Sequence, residues 1–118
     1  MSTLETIHQF NDAFNRHDVE AIMAAMTEDC VFENTYPPPD GERYEGQAAV
    51  RTFWEEFFRF SSDQTFEIEE AIGFGDRGIL RWRYCWTEAD GEVGHMRGVD
   101  LYRLRDGKVA EKLSYVKG

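Results

Sequence analysis

The C-terminal half of this chain is cut at short intervals by turn chemistry. Gly75-Asp76-Arg77-Gly78, Asp90-Gly91 and Asp106-Gly107 separate four runs of β-forming residues, 65–74, 79–87, 93–104 and 108–116. Asp and Gly tolerate the positive φ angles of tight hairpin loops, so four runs joined this way form an antiparallel meander. With 118 residues in all, one face of that sheet has to be covered by what precedes it.

The first sixty residues supply the cover. Ser2-x-x-Glu5 is a capping box, opening a helix with Leu4, Ile7, Phe10 and Phe14 on one face and an end near residues 15–17. Asp18 caps a second, short helix that turns Val19, Ile22, Met23 and Met26 inward. A first strand follows at 30–34. Pro37-Pro38-Pro39-Asp40-Gly41 allows neither helix nor inner strand, so a loop stands there. Val50, Phe53, Trp54, Phe57 and Phe58 then repeat at helical spacing over 46–60. The reading is a single α+β domain, residues 1–118, with helices packed on one face of a strongly curved sheet.

Composition removes several function classes. There are 23 acidic residues against 13 Lys and Arg, a formal charge of −10 with no dense basic run. Phosphate-backbone binding needs the opposite, so nucleic acid is excluded as a partner. The acids crowd residues 1–74, which hold 16 Asp and Glu against 4 Lys and Arg. Cys30 and Cys85 are far apart, and His8, His17 and His95 form no i, i+4 pair, so no metal site is expected. Gly73-x-Gly75-x-x-Gly78 has dinucleotide-motif spacing, but a strand follows it where that site needs a helix. No apolar run approaches the roughly 18 residues that span a bilayer, and no basic, apolar leader opens the chain. A cytoplasmic protein with free thiols, away from membranes, is expected.

Strand parity identifies one residue out of character. Leu80, Trp82, Tyr84 and Trp86 share a face, as do Met96, Gly98, Asp100, Tyr102 and Leu104 on the next strand. Those aromatic faces should meet the helices, which aims the Asp100 carboxylate inward. Burying a carboxylate costs several kcal/mol unless it is paired, or else it neutralises. Lys112 and Ser114 share a face of the last strand, and pairing through Asp106-Gly107 sets that strand beside Asp100. Two arrangements follow: an Asp100–Lys112 pair, or Asp100 as acid, base or hydrogen-bond donor at the base of an apolar pocket. Asn34 and Tyr36 stand at the pocket rim or satisfy loop backbone. On the opposite face, Ile79, Val99 and Leu101 among arginines suit either a homodimer interface or a solvated face.

Phe14-Asn15-Arg16-His17-Asp18, Glu28–Glu33, Tyr44-Glu45-Gly46 and Arg97–Arg103 with Asp106–Val109 carry a family resemblance. The chain resembles the SnoaL-like and ketosteroid-isomerase-like branch of the nuclear transport factor 2-like superfamily. That resemblance implies a cystatin-like cone: three N-terminal helices on a strongly curved, mainly antiparallel mixed sheet, a deep apolar cavity and a homodimer. Asp100 matches the oxyanion Asp of ketosteroid isomerases, whose Tyr and base positions hold Phe10 and Asn34 here. Against limonene-type epoxide hydrolases, Asn34 and Asp100 match. Phe32, Gly98 and Ser114 replace a Tyr, an Arg and an Asp. The single acid–base carboxylate of SnoaL-like cyclases remains intact. Lys112 departs from a mostly apolar lining.

These observations predict acid–base chemistry on an apolar, carbonyl-bearing small molecule, with Asp100 and Asn34 as catalytic candidates and no cofactor. Phe10, Tyr36, Trp54, Trp82, Tyr84, Trp86, Met96, Tyr102, Lys112 and Ser114 are the candidate lining. The rival is a non-catalytic hydrophobic-ligand-binding or dimerisation module in which Asp100 and Lys112 neutralise one another.

Overall fold

The computed structural model describes residues 2–60 and 63–118. Helix α1 (Thr3–Asn15) begins at the capping box: the Ser2 hydroxyl accepts from the Glu5 N–H, and the Glu5 carboxylate accepts from the Ser2 N–H, each at 3.1 Å. It stops where His17 takes a left-handed φ of 56°. Asp18 caps α2 (Val19–Ala24) by accepting from the Ala21 N–H.

Met26 is not the last inward residue of that helix. It opens strand β1 (Met26–Glu33), paired in parallel with Val109. The spacing of residues 22, 23 and 26 is helical, yet Met26 is 2% exposed in its strand setting too. The same burial pattern fits both, and the sheet pairing decides. Asn34 lies just past the strand, where its N–H donates to the Glu42 carbonyl. The proline loop returns at Gly41 (φ +77°), where a Cβ would overlap the Asn34 carbonyl. A short edge strand, β2 (Arg43–Glu45), follows; three residues are too few to show alternation in sequence.

Helix α3 (Gln47–Phe60) precedes the meander β3 (Thr65–Phe74), β4 (Arg77–Thr87), β5 (Val93–Arg105) and β6 (Lys108–Val116). The glycine-rich stretch at 73–78 is a hairpin: Gly75-Asp76 is the turn and Arg77 begins a strand. Asp106 and Gly107 both have positive φ, as a two-residue hairpin loop requires. The six strands run in the order β2-β1-β6-β5-β4-β3, antiparallel except for the β1–β6 pair. Register shifts at Ile68/Glu70 and Arg103/Leu104 bend the sheet.

All three helices lie on the concave side. Ile7, Phe10 and Phe14 from α1 meet Leu80, Trp82 and Tyr102 from the sheet in one core, which Val50 and Trp54 of α3 complete. Gly98 leaves room for Trp82: a Cβ there would come within 2.6 Å of the indole and 2.3 Å of the Tyr115 carbonyl. The convex side carries the arginines together with Ile79, half-buried Val99 and half-buried Leu101.

Candidate functional site: an aromatic cavity closed by a buried ion pair

Parity places Asp100 on the concave face, and the structure buries it at 2% exposure. The register of β5 against β6 sets it opposite Ser114. The Ser114 hydroxyl donates to Asp100 Oδ1 at 2.6 Å, and Lys112 Nζ lies 3.2 Å from Oδ2. The Tyr102 hydroxyl approaches Oδ2 at 3.5 Å, the outer limit of a hydrogen bond. Burial and the neighbouring carboxylate push the Tyr102 hydroxyl well above the ordinary tyrosine value. The pair is almost dry, with side-chain exposures of 7% for Lys112 and 3% for Asp100. Removing one partner from such a pair would strand a charge, which is costly.

Two spaces flank the pair. The first, beside Asp100, measures about 10 Å³ and is bounded by Phe10, Asn11, Phe14, Phe66, Tyr102 and Lys112. It has room for one water at most. The second, of about 130 Å³, opens on the other side of Lys112. Its walls are Phe32, Phe53, Trp54, Phe57, Phe66, Trp82, Tyr84 and Met96, with Asn34, Thr35, Tyr36 and Ser114 adding polar edges. Among the described residues that line it, Lys112 is the only one with an ionic side chain. A larger hollow of about 350 Å³ lies on the convex face, but it is open and its Glu69, Arg81 and Arg97 pair with one another.

Lys112 is held from several sides. Its ammonium donates to Ser114 Oγ at 3.2 Å and stands 4.6 Å from the Phe32 ring centre and 5.5 Å from that of Trp54. Cation–π attraction in a desolvated setting is worth about 2 kcal/mol. An ammonium has three N–H donors; Asp100 and Ser114 engage two, so one remains for a ligand. Trp54 and Trp82, both in the cavity wall, each carry a buried indole N–H without an acceptor among the described residues. Such unpaired donors cost about 1–3 kcal/mol apiece. The Gln64 side-chain oxygen, behind the Tyr84 wall, is likewise buried without a donor among the described residues.

The predicted site residues divide accordingly. Asn34, Tyr36, Trp54, Trp82, Tyr84, Met96, Lys112 and Ser114 meet at the larger cavity. Phe10 and Tyr102 line only the small hollow with Asp100, their rings 6.1 Å apart edge to face. Trp86 lies outside both. It stacks on Tyr84 at 5.1 Å and donates its indole N–H to Glu88, because the sheet extends beyond the helices there. Phe32, Phe53, Phe57 and Phe66 were missed as lining. The helical spacing of Phe53 and Phe57 marked them as core, and nothing in that spacing separates a packed ring from one that borders a void. Gln64, fully buried, donates its amide to the Tyr84 hydroxyl at 2.9 Å and to the Phe57 carbonyl at 3.0 Å, tying the cavity wall to the end of α3. No group of three or more metal-binding side chains occurs among the described residues, and none of their helices is long and apolar enough to cross a membrane.

Helices on the concave side of a mixed sheet, enclosing a side-chain-lined cavity, define an α+β cone. The chain belongs to the SnoaL-like domain family, which matches residues 7–112, within the nuclear transport factor 2-like superfamily. An NTF2-like protein of unknown function from Mesorhizobium loti is 41% identical, with a TM-score of 0.83 over 98% of this chain and 91% of that one. A cystatin-fold protein from Novosphingobium aromaticivorans (24% identity, TM-score 0.84, 98% of each chain) shares the fold. So does a putative polyketide cyclase from Pseudomonas putida (19% identity, TM-score 0.79, 99% and 92% covered). No curated protein matches by sequence.

Proposed function

We propose that the chain binds a small, apolar, carbonyl-bearing molecule in the aromatic cavity and polarises its oxygen with Lys112. The observation that carries this is Lys112, the one ionic side chain among the described residues that line an aromatic cavity. A fixed positive charge in a low-dielectric site stabilises the oxyanion that forms when solvent water entering at the cavity mouth takes the proton from the carbon beside a carbonyl. That is the common step of cyclase-type and isomerase-type reactions. Asp100 and Ser114 then act as positioning residues that hold the ammonium in place, and Asn34 and Tyr36 orient the ligand at the open end. A non-catalytic binder is the second reading, favoured by the small size of the hollow beside Asp100, about 10 Å³, which has no room for a substrate.

Tetralone, an aromatic ketone with exchangeable protons, separates the two. Quenching of tryptophan fluorescence reports binding, and proton NMR in deuterated water reports exchange beside the carbonyl. Quenching with accelerated exchange is the expected result. Quenching alone leaves the binder, and neither effect overturns the whole reading. We further propose a homodimer through the convex face around Ile79, Val99 and Leu101. Sedimentation velocity should show a dimer that Leu101→Glu splits; a wild-type monomer at the highest soluble concentration overturns it.

A further inference from the structure

We propose that the carbonyl-bearing ligand of this cavity is also a flat aromatic anion, carrying a carboxylate or phenolate. The inference rests on the pocket assignment above and sharpens it to a charge class. The buried pair is a dipole with a definite direction. Asp100 borders only the small hollow on its own side, and Lys112 borders both spaces, so the positive end of the dipole meets the larger cavity. A ligand there sits nearer the ammonium than the carboxylate, and the low-dielectric aromatic walls screen that field weakly. The protein's overall charge of −10 would oppose an anion at long range, but exposed charges beyond a Debye length are largely screened and the cavity lining holds no acidic side chain among the described residues.

The polar inventory points the same way. Lys112 is the one ionic side chain among the described residues lining the cavity, and its charge is positive. Oxygen atoms of an anion are acceptors only, and charge-assisted hydrogen bonds are the strong ones. An amine would place like charge against Lys112. Rings lie on opposing elements of the wall, Phe53 and Phe57 from α3 and Trp82 and Tyr84 from β4, which suits a planar guest.

Naphthoate, naphthaldehyde and naphthylmethylamine share one ring system and differ in the charge they present. In fluorescence titrations naphthoate should bind at least about ten-fold more tightly than naphthaldehyde, and the amine most weakly. In the charge-free double variant Asp100→Asn/Lys112→Met the preference for naphthoate should disappear. If that variant does not fold, the three lysines of the wild-type chain, Lys108, Lys112 and Lys117, make the reading direct. With ¹⁵N-labelled lysine, one buried Nζ resonance should move with naphthoate and stay with naphthaldehyde. Equal binding of naphthoate and naphthaldehyde overturns the anion inference and leaves the carbonyl reading standing. A preference retained in the double variant, or tighter binding of the amine, also overturns it. Absence of binding by all three removes both readings.

Discussion

The two faces of the sheet use the same chemistry to opposite effect. On the convex face Arg97 grips Glu69 with two bonds of 2.9 Å, and Arg81 and Arg83 reach Glu69 and Glu67 at 3.7 and 3.9 Å, all with side chains 25% exposed or more. On the concave face one pair, Asp100–Lys112, is closed to water on nearly every side. Water screens the outer pairs and replaces them readily if they break. Nothing replaces a partner inside. The lesson is that an ion pair's weight is set by what would solvate its members if they parted, more than by the separation of its atoms.

Breaking the inner pair is the sharpest test of this contrast. Asp100→Ala leaves the Lys112 ammonium buried and unpaired, and urea unfolding should register a loss of about 3–5 kcal/mol. Removing both charges together, as in Asp100→Leu/Lys112→Met, should recover much of that loss; a double variant as weak as the single one would show that packing, not charge, dominates. A smaller effect belongs to Tyr102. Its hydroxyl is raised well above the ordinary value in the folded chain by burial and by Asp100. Below the unfolded tyrosine value both states keep the proton, and the full stability is present. Above about pH 10 only the unfolded chain releases it, so stability falls with rising pH by up to about 1.4 kcal/mol per unit. Tyr102→Phe should flatten that alkaline slope, and an unchanged slope would place the loss elsewhere. The smallest effect is expected outside. Glu69→Gln should leave the urea midpoint unmoved, and a clear shift would mean that the convex face is less open to water than the isolated chain shows.

Much of this architecture was legible before any coordinates. The capping box, the Asp18 cap and the hairpin turns are local signals, each satisfied within a few residues, and they appear where the sequence places them. Parity was enough to turn Asp100 inward, but the Asp106-Gly107 turn alone would set it opposite Leu113; the one-residue register shift at Arg103/Leu104, invisible in the sequence, is what brings Ser114 and Lys112 to its face. What stayed hidden depends on long-range pairing or on empty space. Met26 joins the sheet through Val109, more than eighty positions away, and β2 exists only because β1 offers it an edge. Which aromatic residues border a void and which fill one is a property of the assembled volume. Phe10 and Phe57 look alike in sequence. One closes the hollow beside Asp100 and the other lines the larger cavity.

The parallel pairing of β1 with β6 has a consequence for how the molecule comes into being. β6 is not added to an edge but lies between β5, which it follows through a two-residue turn, and β1, about eighty residues upstream. Contacts of such high sequence separation form slowly, since the loop-closure entropy is lost before any contact rewards it. Until β6 docks against β1, the β1–β2 pair therefore stays apart from the meander, and the wall that Phe32 lends to the aromatic cavity is missing. A continuous sheet and a complete cavity wall arrive in the same step, when the segment bearing Lys112 meets β1.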